Sequence, residues 1–420
     1  MAGNDRRFRI ATLNTVCGVT HIQREWMWSA AAGAAIARLA WWPGHWLWVL
    51  LALPAAWSMT RGRTGALVLW LAYYLTGARD IPVATGRFFS AYGELPEAGA
   101  LALGYGVWIS QAFLLSMPWV LFKPGADASF SCRAWRTIVP ALLVTVPPIG
   151  IIGWLSPVYV ASVLFPGWKL SGLILGIIAL AAMATASRSS VARSGLALLV
   201  VLSTIANSGS TAPHIPPGWT PVDTALGRFD QSGYASIYAR TQQVQSITNR
   251  VFASGADVVI LPEEIVGLWR PSMNYWWRGD MLSFAATGRT LIIGADIIVA
   301  TAPFRYTDSA VIAGANRGRV DSRQPVPLAL WRPGAGVSAI RGSITQPYAM
   351  VAGKTVAFSI CYEDLLWWPH WRLLVQPPVV LVSLSNSWFD SDLALAEIQR
   401  QGIEAVGRLA GAPLLRATNR

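Results

Sequence analysis

One cysteine in the C-terminal half of the chain stands where a catalytic nucleophile could be presented. Cys361 follows the β-forming run 356–360 and opens an acidic turn, and no other cysteine follows Cys132. A thiolate attacks a carbonyl carbon when a neighbouring base removes its proton. The alternative is an unreactive buried side chain, which is common for free cysteine.

Two other polar motifs follow apolar runs in the same half. The pair Pro262-Glu263 comes directly after the run 257–261, and Asn386 follows the run 379–384. Sites in α/β folds are built from polar side chains at neighbouring strand ends. A carboxylate beside a thiol can act as its general base, so Glu263 and Cys361 form a candidate pair.

The elements that must position these residues are predicted β-strands mixed with predicted α-helices. β-forming runs are followed or preceded by helical patterns, and a Ser-, Pro- and Gly-rich link at 207–221 precedes them. The predicted strands are 256–261, 290–297, 310–313, 355–360 and 379–384, and the predicted helices are 234–253 and 391–409. This order predicts an α/β layered domain over 210–420.

The first half of the chain has the composition of a membrane domain. The whole chain has 54% hydrophobic but only 13% charged residues, where a soluble domain carries roughly a quarter charged residues. The apolar stretches are 26–42, 45–59, 64–78, 98–122, 137–155, 169–187 and 194–209, with a turn predicted at Pro43-Gly44. These stretches predict about seven transmembrane helices in a membrane domain over 1–209.

The distribution of charge predicts how that domain is oriented. The net charge is +12, and residues 1–209 contribute nine of these charges. With a cytoplasmic N-terminus, eleven basic residues fall on inside segments and three on outside loops, which is a positive-inside pattern. We therefore expect a multi-pass protein of the bacterial inner membrane with a periplasmic domain 210–420. Direct nucleic-acid binding is not expected, because the basic residues lie between apolar stretches.

The motifs together resemble the nitrilase, or carbon–nitrogen hydrolase, superfamily. They are most similar to its membrane branch, typified by apolipoprotein N-acyltransferase. Pro262-Glu263 corresponds to the motif that carries the general base, and Ile360–Glu363 to the motif that carries the nucleophile. Ser385-Asn386 with Trp388-Phe389 also matches. The resemblance implies an α-β-β-α sandwich, and the layout is further similar to TraB-type conjugal transfer proteins of rhizobial plasmids.

The chain departs from that family pattern at its catalytic lysine. The corresponding stretch, 321–330, has no lysine, and Arg323 is its nearest cation; Leu330 occupies the position of a second glutamate. The chain also stops at Arg420, before the C-terminal extension of the family. An arginine can supply charge, but its high pKa prevents it from exchanging a proton.

The resemblance implies Cys-dependent N-acyltransferase or amidase chemistry through an acyl-enzyme. It also implies a role in plasmid conjugal transfer. Cys361, Glu263 and Arg323 are the expected catalytic residues. Tyr362, Glu363 and Asn386 are expected to support the substrate or its oxyanion. A lipid or other acyl-chain donor and a protein or peptide acceptor are the expected partners, with no cofactor and no metal. The alternative is a catalytically degenerate membrane scaffold or binding component of a conjugation or envelope assembly.

Overall fold

A computed structural model describes residues 4–41 and 46–420 of the chain, with side chains from residue 21 onward. The predicted turn at Pro43-Gly44 lies outside the described residues.

The C-terminal half contains two β-sheets. The first sheet has the order β1-β2-β3-β4-β5 with β6 beside β4; β1, β2 and β3 are parallel, and β4 is antiparallel to β3. The second has the order β10-β9-β8-β7, with β7 antiparallel to β8 and the other three strands parallel. The strands are β1 Trp219–Pro221, β2 Val258–Ile260, β3 Thr290–Thr301, β4 Phe304–Gly314, β5 Gly318–Asp321, β6 Val337–Ala339, β7 Ala349–Val351, β8 Lys354–Ile360, β9 Val380–Asn386 and β10 Leu414–Asn419.

The two sheets face each other across a shared apolar core. Val258 and Ile260 of β2 pack in one cluster with Phe358 and Ile360 of β8. Val259 belongs instead to a second cluster on the outer face of the first sheet. This alternation follows from the two-residue period of a β-strand, because successive side chains point to opposite faces of the sheet.

Helices cover both outer faces of this sandwich. The long helix predicted at 234–253 is present with those bounds, and the helix predicted at 391–409 spans Ala394–Ala410. The helices of this half, continuing the numbering of the first half, are α10 Tyr234–Ala253, α11 Pro271–Trp276, α12 Arg278–Ala286, α13 Trp371–Val375 and α14 Ala394–Ala410. The arrangement is an α-β-β-α sandwich.

The N-terminal half is helical throughout its described length. Its α-helices are α1 Asn4–Trp41, α2 Ala52–Met59, α3 Arg63–Gly77, α4 Ile81–Ala91, α5 Glu97–Leu121, α6 Phe130–Leu143, α7 Ala161–Leu164, α8 Lys169–Thr185 and α9 Ser190–Ser208. Short 3-10 helices lie at Leu47–Leu51, Ile149–Ile152 and Pro157–Val160, and two more follow β8 at Cys361–Leu365 and Trp368–His370.

Two of these helices are long and apolar enough to cross a membrane, within the described residues. They are α5 and α9, while Leu47–Met59 and α8 are apolar but shorter. The stretch 137–155 does not form one helix, since α6 ends at Leu143 before the Pro147-Pro148 pair, and proline interrupts helical hydrogen bonding. The seven-span arrangement therefore stays a prediction.

The two halves pack directly on each other. Gln401 of α14 donates to the carbonyl of Ala40 at 2.7 Å, and the rings of Tyr159 and Trp367 lie 4.8 Å apart. On the same side of the molecule, Arg87 of α4 pairs with Asp392 at 2.5 Å. The pair Arg87–Asp392 holds α4 beside the segment that follows β9, and residues of α4 and α5 line one cavity with Cys361.

Candidate active site

Cys361 lies at the C-terminal end of β8, on the first residue of a 3-10 turn. Its φ is +48°, in the left-handed region that residues other than glycine rarely adopt. Such strain persists only where surrounding structure holds it, and it concentrates at functional sites. The thiol is half-buried and lines the cavity described below.

Glu263 lies opposite Cys361 in the same cavity, just beyond the end of β2. Its side chain is only 2% exposed. Burial, followed by the charges of Asp308 and Glu264, raises the pKa of Glu263. Burial and the neighbouring Glu263 carboxyl likewise raise the pKa of the Cys361 thiol. The resting thiol is therefore neutral, and a carboxylate with raised proton affinity stands beside it.

A close backbone approach fixes the turn that carries Glu263. Gly294 of β3 donates its N–H to the carbonyl of Pro262 at 3.1 Å. A Cβ built on Gly294 would lie 2.4 Å from Cα of Glu263. Only glycine leaves room for this approach, so the position of Glu263 depends on the absence of a side chain at residue 294.

A buried polar network holds the Cys361 turn from the other side. Gln399 of α14 donates to the carbonyl of Cys361 at 2.9 Å and approaches Oδ2 of Asp364 at 3.4 Å. Asp364 also accepts hydrogen bonds from the hydroxyls of Ser359 and Ser383. Burial raises the pKa of Asp364 to about 6. The network links β8, β9 and α14 directly beneath the thiol.

Arg323 does not lie in the cavity with Cys361. Its Nη2 lies 2.5 Å from Oε2 of Glu363, and its Nη1 donates to the carbonyl of Pro369 at 2.6 Å. The expectation that Arg323 supplies a cation beside the thiol does not match this placement. The guanidinium forms an ion pair with the buried carboxylate of Glu363, because each charge is costly to bury without the other.

Glu363 is likewise a structural residue in this geometry. Burial alone would raise its pKa, but the charge of Arg323 lowers it below the ordinary value. Its carboxylate also accepts the backbone N–H groups of Arg323, Gln324 and Ile360. It therefore ties the turn after Cys361 to the chain at 323–324 instead of facing a substrate.

Tyr362 and Asn386 both line the cavity. The hydroxyl of Tyr362 donates to the carbonyl of Ile151 at 2.9 Å, and its ring meets Trp154 edge-on at 6.1 Å. Asn386 accepts from Asn419 at 3.0 Å. The structure thus brings Cys361, Glu263, Tyr362 and Asn386 together and leaves Arg323 and Glu363 outside.

The cavity that joins them has a volume of about 200 Å³ and mostly apolar walls. Helices α4 and α5 of the N-terminal half form one side, including Phe88, Phe89, Leu103 and Val107. The segment 326–330 forms another side, and α14 contributes Gln399. A pocket of this character suits an apolar chain next to a few polar groups.

Sequence reasoning missed several residues of this site. Helix α4 was not anticipated as an element, and Gln399 carries no local motif. Asp296 did have a signal, because it is a carboxylate inside an apolar strand, where ionised groups are rare, whereas Asp308 lies in the polar segment 305–309 of β4 and had no such signal. No group of three or more His, Cys, Asp or Glu side chains in the described part of the chain is arranged to hold a metal ion.

The chain is similar to two curated proteins over most of its length. One is the "Probable conjugal transfer protein TraB" of Sinorhizobium fredii, at 30% identity over 380 residues, covering 88% of this chain and 92% of that protein. The other is the "Conjugal transfer protein TraB" of Agrobacterium fabrum, at 28% identity over 388 residues, covering 87% and 86%. No family model matches the chain.

Solved structures similar to this chain belong to the nitrilase superfamily and the carbon–nitrogen hydrolases. An amidase of the nitrilase superfamily from Nesterenkonia aligns over 49% of this chain and 78% of its own, with 13% identity and a TM-score of 0.35. A carbon–nitrogen hydrolase from Helicobacter pylori aligns over 48% and 72%, with 12% identity and a TM-score of 0.34. Because the similarity to the two curated proteins extends over most of both chains, this chain belongs to the TraB family of conjugal transfer proteins.

Proposed function

We propose that this protein serves plasmid conjugal transfer as a membrane-bound, Cys-dependent N-acyltransferase or amidase. The observation that carries the proposal is the pairing of Cys361 and Glu263 in one apolar cavity. The strained backbone at Cys361, the motif resemblance to the nitrilase superfamily and the similarity to proteins named for conjugal transfer support it.

In the proposed reaction, Glu263 takes the proton of the Cys361 thiol as the sulfur attacks an ester or amide carbonyl. A C–S bond forms, and the bond between the acyl carbon and its leaving group breaks. Glu263 returns the proton to the leaving group, which departs as an alcohol or amine. Water or an acceptor amine then cleaves the thioester and restores the thiol. A backbone N–H at Tyr362 is the proposed donor to the oxyanion.

The proposed location is the inner membrane, with the domain 210–420 on the periplasmic side. Helix α9 supports contact with lipid, since Leu198, Val200 and Ile205 are each more than half exposed. Soluble surfaces rarely leave such apolar faces uncovered. The positive-inside pattern of the arginines supports the orientation.

A scaffold without turnover is the second candidate. It is favoured by the engagement of Arg323 with Glu363, because no cation then stands beside the thiol. The apolar stretch 326–330 in the cavity wall favours it as well. The two candidates differ in what they require of Cys361, since a scaffold does not need its thiol.

Conjugal transfer from donor cells that lack the native gene separates the two. We expect Cys361→Ala and Glu263→Gln, expressed at the level of the unmodified chain, to reduce transfer to the level of the deletion. Cys132→Ala is the matched control and is expected to restore transfer. Full transfer with both site variants would establish the scaffold and reject the enzyme.

A further inference from the structure

Four carboxyl groups converge on the wall of the cavity that faces Cys361. Glu263 and Glu264 line the cavity itself. Asp296 of β3 and Asp308 of β4 lie behind them, directly opposite each other in the antiparallel pair. Like charges at directly opposed strand positions are destabilising, so this arrangement is unfavourable for folding on its own.

No basic side chain pairs with these carboxyls among the residues that the structure describes. Glu263, Asp296 and Asp308 are each at most 7% exposed, and each keeps one buried oxygen without a hydrogen-bond partner: Oε2, Oδ1 and Oδ1. Burial, with the charges of its neighbours, raises the pKa of each of the three. A buried carboxylate without a donor is costly, and the Oε2 of Glu263 belongs to a side chain that lines the cavity.

Two guanidinium groups that lie over aromatic rings next to the cavity, those of Arg228 over Tyr92 and Arg332 over Phe89, have other partners. Arg228 donates to the carbonyl of Ala91 at 2.6 Å, and Arg332 pairs with Glu94 at 2.9 Å. The stretch 326–330 that lines the cavity contains only apolar residues. These carboxyls therefore have no basic partner among the described side chains, and a cation that enters through the cavity would stabilise their ionised form.

An aromatic cluster stands beside the same wall. It consists of Phe88, Trp388 and Phe389, which line the cavity, and of Tyr92, which packs on them and whose ring already lies 5.7 Å from the Arg228 guanidinium. Ring centroids of Phe88 lie 5.1 Å from Tyr92 and 6.1 Å from Trp388, and Tyr92 meets Trp388 edge-on at 5.9 Å. Burial and the charge of Glu264 raise the pKa of Tyr92, which places that ring near the carboxyls. Aromatic faces beside carboxylates are the chemistry that recognises an organic ammonium group.

We propose that the cavity binds a substrate with an apolar chain and a primary ammonium group, seated between Glu263–Glu264 and the aromatic cluster. Its N–H groups donate to the unpartnered carboxyl oxygens, and its positive charge offsets the charge of the carboxyls. The proposal rests on the proposed function, since it names the substrate class of the same cavity. A metal ion is not the occupant, because the described carboxyls are not arranged as metal ligands.

Calorimetry on the detergent-solubilised full chain tests this with three matched probes. Octylammonium is expected to bind roughly tenfold or more tightly than octanol, as charge-assisted hydrogen bonds contribute in a partly desolvated site. Octyltrimethylammonium keeps the charge but lacks N–H donors, so it is expected to bind more weakly than octylammonium. Equal binding of octylammonium and octanol, or tighter binding of the trimethyl probe, would overturn the assignment.

Variants locate the binding. Glu264→Gln and Asp308→Asn are each expected to weaken octylammonium binding by about tenfold or more, and Trp388→Leu by about threefold or more. Glu97→Gln removes an exposed charge from the start of α5 and is expected to change nothing. Unchanged binding in both carboxyl variants would reject the site. The melting temperature of each variant shows whether it has a folding defect. Removal of the buried Asp308 charge is expected to raise the melting temperature.

The two proposals fail in distinguishable ways. Binding of octylammonium needs no chemistry, so it is expected to persist in Cys361→Ala. If that variant binds the probe while the unmodified protein never forms a thioester, the ammonium site stands and the enzyme is rejected. If thioester forms and octylammonium does not bind, the enzyme stands and the substrate class is rejected.

Discussion

Nη2 of Arg323 lies 2.5 Å from Oε2 of Glu363, and this ion pair lies outside the cavity that contains Cys361. The pair stabilises the 3-10 turn Cys361–Leu365, which begins at the nucleophile position. The one cation that sequence reasoning assigned to catalysis therefore has a positioning role, and no basic side chain of the described residues lines the cavity.

Arg323→Ala is expected to destabilise the fold by about 3–5 kcal/mol, because Glu363 would stay buried without its partner. Arg323→Lys is expected to recover only part of this, since an ammonium cannot reproduce the forked contact. Thermal unfolding of the solubilised full chain measures both. Arg319→Ala is the control, because it breaks the more exposed pair with Asp321 and is expected to cost about 0–1 kcal/mol. An unchanged melting temperature for Arg323→Ala, with loss of acylation, would instead make Arg323 the catalytic cation.

Gly294→Ala is expected to displace Glu263, since the new Cβ would lie 2.3 Å from the carbonyl oxygen of Pro262. Strain of this kind in packed structure costs about 1–3 kcal/mol, and we expect slower acylation of Cys361 as well. Melting temperature and the rate of p-nitrophenol release from p-nitrophenyl octanoate measure the two effects. Gly279→Ala on α12 meets nothing within 4 Å and is the control. Equal behaviour of the two alanine variants would show that the Glu263 turn is not held by residue 294.

Gln399→Leu is expected to release the Cys361 carbonyl and so loosen the left-handed backbone that aims the thiol. The rate constant of acylation is expected to fall by roughly tenfold, which corresponds to one lost hydrogen bond to the site. The KM for the ester is expected to change little, because Gln399 acts through Cys361. Stopped-flow kinetics over a range of ester concentrations separates the two parameters. A raised KM with an unchanged rate constant would place Gln399 in substrate binding instead.

Stability is expected to fall as pH rises from 5 to 8. Burial raises the pKa of Asp364 to about 6 and that of Asp390 to about 7. A carboxyl with a raised folded-state pKa stabilises the fold while protonated, and this contribution is lost as pH rises through that value. Glu363 acts oppositely, because its pKa is lowered, so its contribution is lost only on acidification below its ordinary range. His370 also opposes the trend, because burial lowers its pKa to about 4 and its contribution grows as pH rises toward its ordinary value. The larger set of buried carboxyls with a raised pKa outweighs this one imidazole.

Thermal unfolding at pH 5 and pH 8 checks this linkage. We expect a melting temperature that is higher at pH 5 by a few degrees, in line with the usual relation between free energy and melting temperature. Asp390→Asn is expected to flatten the dependence above pH 6. A melting temperature that rises from pH 5 to pH 8 would contradict the assigned directions.

The sequence predicted those parts of the fold that local pattern determines. Helix 234–253 and the strands leading to Glu263 and Cys361 follow from periodicity, because burial of one face selects the spacing of apolar residues. The motif resemblance then placed both residues in one site, and the cavity contains both.

The remaining features depend on contacts between distant segments. The ion pair between Arg323 and Glu363 joins residues 40 positions apart, so no local sequence pattern predicts it. Helix α4 and its aromatic residues line the cavity only because the N-terminal half packs on α14 and the end of β9. Hydropathy alone also could not place the break after Leu143, which follows from the Pro147-Pro148 pair.

The most direct test of the central claim is the covalent state of Cys361 after reaction with an activated ester. The solubilised full chain is incubated with p-nitrophenyl octanoate, quenched in acid and mapped by peptide mass spectrometry. We predict an octanoyl thioester on Cys361 that is absent from Cys361→Ser, much slower to form in Glu263→Gln, and unaffected by Cys132→Ala. A folded protein that shows no octanoyl group on Cys361, or labels Cys132 at an equal rate, would contradict the assignment of Cys361 as the nucleophile.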